Sequence, residues 1–282
     1  MNTYRKPPLR RRRLGKRLRA MRERAGLTLE QAAARLDMSR SGVFRLETGA
    51  SRPNIHVLRS MMDLYDQWEE GLLDAARDAM KPRWFTAYGV ADMGYVDVET
   101  EASRVSEYTC QHLPGLLQTG DYARALIEGS RRRRTAEQLE SEVSVRLIRQ
   151  HRLTNEEEPL ELVAIIDEAA LRREVGGPQV MHAQLRQLME MAELPTVHLQ
   201  VLPLEAQAYG VMDGAFTLLD FPEPEDQALL YHAYVTGALH IENEYEVREA
   251  RLTFDQLRSD ALNQADSVAL IERLALQLYV PA

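Results

Sequence analysis

The stretch TLEQAAARLDMSRSGVFRLE, Thr28–Glu47, decides how this chain begins. Thr28, followed three residues later by Gln31, is a capping box and starts a helix. Ala32, Ala33 and Leu36 give that helix a small apolar face, which lets a second helix cross it closely. Asp37-Met38 is a tight turn. Ser39 caps the second helix over Arg40–Thr48, with Val43 and Leu46 facing inward and Gly49 stopping it. Two short helices joined by so short a turn make a helix-turn-helix. Upstream, Leu14, Leu18 and Met21 recur at helical spacing and predict a helix over Leu14–Arg24, ended at Ala25-Gly26. Downstream, Asn54 caps a fourth helix with Ile55, Leu58, Met61 and Leu64 inward. The helical pattern then continues from Asp63 to Asp78 before Lys81-Pro82 breaks it.

Charge sets this head apart from the rest. Residues 1–60 hold 16 Lys/Arg against 4 Asp/Glu, while the remaining residues hold 19 against 39, within a chain of net charge −8. A head of about +12 on a body of about −20 suggests a polyanion-binding head on an acidic body. The apolar residues of the head are used up by its helical core, which leaves no large apolar face for a membrane surface. The run Arg10–Arg13 reads either as a DNA-contacting arm, within a basic segment 1–13, or as a solubilising run. One cysteine, Cys110, excludes an intrachain disulfide and points to a reducing, cytoplasmic setting. No apolar run reaches the roughly 18 residues of a membrane helix. No hydrophobic stretch follows the basic start as in a secretory signal.

The head resembles the repressor-type, or XRE, helix-turn-helix family. The resemblance is carried by Leu18-Arg19-x-x-Arg22, Gly26-Leu27-Thr28, Gln31-x-Ala33, Ser39-x-Ser41-x-Val43-x-Arg45-Leu46-Glu47-x-Gly49 and Pro53. It implies that Arg40, Ser41 and Arg45 face the major groove, where Arg suits guanine O6 and N7. Thr28 and Ser39, at helix N-termini, are expected at phosphates, as is Arg52 in the following loop. Arg22 and Glu47 match a buried pair that fixes the first helix against the third. The Gln with which the family commonly starts its second helix is Leu29 here.

The body, 99–282 after a helix-turn-helix domain 14–76 and a linker 77–98, reads as α+β with a modest sheet of about five strands flanked by helices. Trp84 and Phe85 are expected to seat the linker. Helices are expected over Glu99–Tyr108, Gly120–Glu128 with Thr119 as cap, Thr135–Arg152 with a Glu142–Arg146 pair, Pro178–Leu194, Glu244–Leu262 and Asp266–Leu278. Strands are expected over Leu160–Ile166, Val197–Leu202, Ala215–Phe221, Ala228–Val235 and Gly237–Ile241. The segments Leu113-Pro114-Gly115-Leu116-Leu117-Gln118-Thr119, Arg146-Leu147-x-Arg149-Gln150, Asp167-Glu168-Ala169-x-Leu171-Arg172 and Gln200-Val201-Leu202-Pro203 resemble the effector domain of the actinobacterial WhiJ-like regulators. Some of these are described as antitoxin-like. The resemblance implies a regulator encoded beside a small partner protein and carries over no chemistry.

Chemistry sought independently does not assemble. Cys110 and His112 lack further ligands at metal spacing, and His182, His198, His232 and His240 are scattered. Asp167-Glu168 suits a helix start. Gly176-Gly177-Pro178 is a turn, and Arg131–Arg134 a basic loop. The expectation is a cytoplasmic, nucleoid-associated, non-enzymatic regulator without cofactor or metal. It binds a pseudo-palindromic operator in double-stranded DNA as a homodimer. The alternative is an antitoxin-like interaction protein that binds DNA mainly for autoregulation.

Overall fold

The computed structural model describes residues 7–90, 94–130, 132–206, 214–223 and 226–279. Residues 1–6 of the basic segment and Arg131 of the basic loop lie outside them. The chain divides into two compact units, Met1–Trp84 with Val96–Val98, and Phe85–Tyr95 with Glu99–Ala282.

The first unit is built from α1 (Leu9–Arg24), α2 (Leu29–Arg35), α3 (Arg40–Glu47), α4 (Ile55–Tyr65) and α5 (Leu72–Met80). Leu14, Leu18, Met21, Ala32, Ala33, Val43, Leu46, Leu58, Met61 and Met62 form its core. Thr28 accepts from the Gln31 N–H at 3.2 Å while Gln31 Oε1 accepts from the Thr28 N–H at 2.9 Å, closing the capping box. Ser39 Oγ accepts from the Gly42 N–H at 3.0 Å and starts α3.

Two helix limits differ from expectation. α1 begins at Leu9 rather than Leu14, so Arg10–Arg13 lie on helix rather than in an arm. Its first N–H finds an acceptor in Asp97 Oδ2 at 3.0 Å, and Leu9 is buried. Four arginines in a row hid that apolar position. The helix expected to run on through Asp63–Asp78 is broken instead. Asp66 adopts a left-handed conformation (φ 51°) at the end of α4, and Gly71 (φ 81°) starts α5. Gln67, in the gap, donates to the Met21 carbonyl at the end of α1 at 2.8 Å.

The second unit begins within a short 3-10 turn, Trp84–Tyr88, whose Phe85 is fully buried. α6 (Tyr95–Thr100) and β1 (Arg104–Thr109) come next, then α7 (Gly120–Glu128), α8 (Ala136–Gln150), β2 (Glu161–Asp167) and α9 (Glu168–Arg172). α10 (Pro178–Met191), β3 (Val197–Leu202), β4 (Phe216–Asp220), β5 (Leu229–Tyr234), β6 (Gly237–Ile241), α11 (Glu244–Asp260) and α12 (Gln264–Leu278) complete it. Among the described residues the strands form one six-stranded sheet in the order β3-β2-β1-β4-β5-β6, with β1, β2 and β3 parallel and β4 to β6 antiparallel. α11 covers one face, where Val247, Phe254 and Leu257 pack on Tyr108, Val163, Ile165 and Leu218. At the β3 edge, Val201 donates to Ser267 Oγ and its carbonyl accepts from the Leu262 N–H, each at 2.9 Å.

The sixth strand is β1, in a segment expected to be helical over Glu99–Tyr108. Thr100 ends α6, and Arg104–Thr109 is extended with burial on both faces. Such a central strand has no polar alternation to betray it, and pairing with β2 on one side and β4 on the other decides its state. The expected Glu142–Arg146 pair does not form: Glu142 accepts from Arg134 Nε at 2.8 Å, and Arg146 donates to Gln118 Oε1 at 2.7 Å.

Candidate nucleic-acid interface

The placement of α3 begins with two contacts to α1. At Gly15 the backbones nearly touch: a Cβ there would stand 2.4 Å from the Glu47 carbonyl oxygen and 2.8 Å from that of Leu46. One turn or two further on, Arg22 Nε and Nη2 donate to the two oxygens of Glu47 at 2.7 and 2.9 Å, with the side chains 8% and 3% exposed. Arg22 Nη1 also donates to the Leu27 carbonyl at 2.8 Å, tying in the start of α2. These bonds to Glu47 raise the Arg22 pKa. A two-pronged pair of this kind sets orientation as well as energy. Below it, burial and then Glu47 push the Tyr65 hydroxyl up to about 12.

With Val43, Leu46 and Glu47 buried, α3 presents Arg40, Ser41, Phe44, Arg45 and Thr48 to solvent. Arg40 and Phe44 are one turn apart on one line of the helix, and Ser41 and Arg45 on the next. Arg40 is not free: its Nε is ion-paired with Glu30 on α2. The Glu30 carboxyl is held below its usual range by its own backbone N–H and then by Arg40. Arg45 is exposed and has no ion pair among the described residues. Phe44 is 51% exposed, an unusual place for a phenyl ring unless it meets an apolar surface such as a thymine methyl. Neither Glu30 nor Phe44 stood out in the sequence, although an outward Phe at the α3 period was there to be read.

Thr28 and Ser39 are exposed at their helix starts. The Thr28 N–H is occupied by Gln31, the Gln31 N–H by Thr28 Oγ1 and the Glu30 N–H by its own carboxyl, so the Thr28 hydroxyl proton and the Leu29 N–H remain for a phosphate. Ser39 Oγ lies 3.1 Å from Ser41 Oγ, which links two of the expected residues. Leu29, where the related family commonly has Gln, is half-buried against the core and has no polar group with which to brace the α3 side chains. Arg52 lies exposed in the loop between α3 and α4. There it acts on Arg11 of α1, whose pKa is lowered first by burial, then by Arg83 and Arg52. Gly49 (φ 70°) permits this approach, since a Cβ would stand 2.7 Å from the Arg11 backbone. Arg83 is balanced by Asp97 at 2.8 Å.

The body offers less. Asp167 caps α9, accepting from the Ala169 N–H at 2.8 Å, and also accepts from the Tyr108 hydroxyl at 3.2 Å. Burial raises the Cys110 thiol and lowers His112. Among the described residues no group of His, Cys, Asp and Glu could hold a metal ion, and no helix is long and apolar enough to cross a membrane.

Comparison with known proteins agrees with the two-part reading. A family model described as a helix-turn-helix domain matches residues 13–76. One described as a domain of unknown function (DUF5753) matches residues 93–273. No curated protein and no solved structure matches the chain.

Proposed function

The chain belongs to the DUF5753 family and carries an N-terminal helix-turn-helix domain, and from that premise we propose that it is a sequence-specific transcriptional regulator that binds operator DNA. The observation that carries this reading is α3. Its inner face is locked by Gly15 and the Arg22–Glu47 pair, and its outer face presents Arg40, Ser41, Phe44 and Arg45 as a rigid reading surface. Thr28, Ser39 and Arg52 supply backbone contacts that set the register. One such unit spans few base pairs, so the regulator acts as a homodimer on a pseudo-palindrome. The body, in keeping with its resemblance to the WhiJ-like actinobacterial domains, serves dimerisation and docks a small partner protein. In this reading the protein is a regulator rather than an enzyme and works in the cytoplasm without a cofactor.

Selection from a random pool of duplex DNA by the full-length chain tests the proposal. The expected product is an enriched sequence with two inverted half-sites centred about 34–36 Å, one helical turn, apart. Recovery of unenriched DNA would reduce the head to a non-specific polyanion binder. Enrichment of a single half-site would remove the dimer. Enrichment only when an adjacent-gene product is bound would favour the antitoxin-like reading.

A further inference from the structure

One face of the body sheet carries a polar row that DNA binding does not use. Glu107 on β1 pairs across to Thr217 on β4, Thr217 to Tyr231 on β5, and Tyr231 to His240 on β6. Directly paired residues share a face, and strands lie about 4.8 Å apart, so Glu107 and Tyr231 stand about 10 Å apart along the row. The far end is covered. The Tyr95 ring packs 4.7 Å from Tyr231, the Tyr231 ring lies 5.3 Å from His240, and a Cβ on Gly94 would come within 2.8 Å of His240. The Arg149 guanidinium sits 5.2 Å from the Tyr95 ring centre and makes two 2.6 Å bonds to Glu99.

The near end is different. Glu107 is half-buried, and among the described residues its carboxylate has neither hydrogen bond nor ion pair. Arg146 on α8 is also half-buried and, among the described residues, uses only Nη1, on Gln118, with no protein partner for its other donors. Arg146 and Arg149 converge at Gly115, where a Cβ would stand 3.2 Å from one guanidinium and 3.4 Å from the other. Arg149 is already neutralised by Glu99. Among the described residues one carboxylate and one guanidinium are left over, near enough to act on each other's charge and not joined. Burial and then Glu99 push the Glu107 carboxyl up to about 7, against Arg149 and Arg146, which pull it down. Burial and then Arg149 bring Arg146 down to about 10. Half-buried charges without partners are costly, and a ligand that supplies both partners recovers that cost.

The geometry points to a binding site for a small zwitterion of the free amino-acid class, whose ammonium donates to Glu107 and whose carboxylate is taken by Arg146, with the Tyr95 and Tyr231 rings as a wall. A lone cation would leave Arg146 uncompensated, and a lone anion would leave Glu107 so. A zwitterion adds no net charge to a cluster that already balances Glu99 and Glu107 against Arg146 and Arg149. Arg suits the carboxylate because its donors form a planar fork.

The test is calorimetric titration of the full-length chain at pH 8, where Glu107 is ionised, with each common L-amino acid and with methylammonium and acetate as single-charge probes. At least one amino acid should bind saturably and about tenfold or more tighter than either single-charge probe. Glu107→Gln, which keeps the shape of the protonated side chain, should weaken that binding about tenfold or more, with an unchanged circular dichroism spectrum. Arg146→Gln should do the same, and Arg146→Lys replaces it in the comparison if Arg146→Gln does not fold. Any of three results would overturn the assignment: no amino acid binding up to about 10 mM, an affinity that Glu107→Gln leaves unchanged, or methylammonium or acetate binding as tightly as the best amino acid. None of them depends on whether the head binds DNA.

Discussion

Arg40 and Arg45 both leave the outer face of α3, but they start from different states. Arg40 is committed to Glu30, and any base contact it makes must first give up or stretch that pair. Arg45 has no such tie and is the better placed to form a two-pronged bond to guanine. Arg45→Ala should therefore weaken binding to a selected operator by about 1–3 kcal/mol and hardly affect random DNA, as read by fluorescence anisotropy on both duplexes. Equal losses on the two would make Arg45 a phosphate contact. In the body, Glu107 gives a pH signature. Its folded pKa of about 7 lies above the usual carboxylate range, so the folded state holds its proton longer than the unfolded state. Stability then falls as pH rises from the ordinary carboxylate range through 7, and the full cost is present above that. Glu107→Gln, uncharged throughout, should be about 1–3 kcal/mol more stable than the wild type at pH 8, with the gap closing by pH 4, in urea titrations without added ligand. A gap that does not change with pH would show that Glu107 ionises freely.

Among the elements, α1 and α3 meet where a glycine removes every side-chain atom. Gly15→Ala places a Cβ 2.4 Å from a backbone oxygen of α3, and backbone cannot rotate away as a long side chain can. The end of α3 must shift, straining the Arg22–Glu47 pair. We expect a loss of about 1–3 kcal/mol in stability and weaker operator binding at temperatures where the variant is still folded. Unchanged stability and affinity would mean that the crossing is slack. β1 shows the opposite relation of element to sequence. Its residues Arg104–Thr109 carry no strong local preference, yet they occupy the centre of the sheet.

At the scale of the whole molecule, the sign split between a head of 16 basic and 4 acidic residues and an acidic remainder should govern association with DNA in the proposed function. The acidic surface is repelled by the duplex, which orients approach through the head. If each head neutralises about five phosphates, the slope of log affinity against log salt for the proposed dimer should lie near −9. A slope near zero, measured between low and physiological salt, would mean that counterion release does not drive binding.

The helix-turn-helix could be read from the chain because its signals are local. Thr28 with Gln31, Ser39, Gly26 and Gly49 each mark a helix limit within a few residues, and the 3.6-residue period divides α3 into a buried and an exposed side. The α+β class of the body was legible in the same way, from apolar runs such as Glu161–Asp167 between turn residues. What remained for tertiary structure depended on partners distant in sequence. Leu9 becomes helical where Asp97 accepts its N–H, Asp66 breaks a helical pattern while Gln67 reaches Met21, and Arg104–Thr109 is a strand because β2 and β4 flank it. Glu30 reaching Arg40, and Glu107 left without a bonded partner among the described residues, are likewise facts of packing. No local propensity encodes them, because the groups that satisfy or abandon a buried charge are brought to it only when the whole chain has folded.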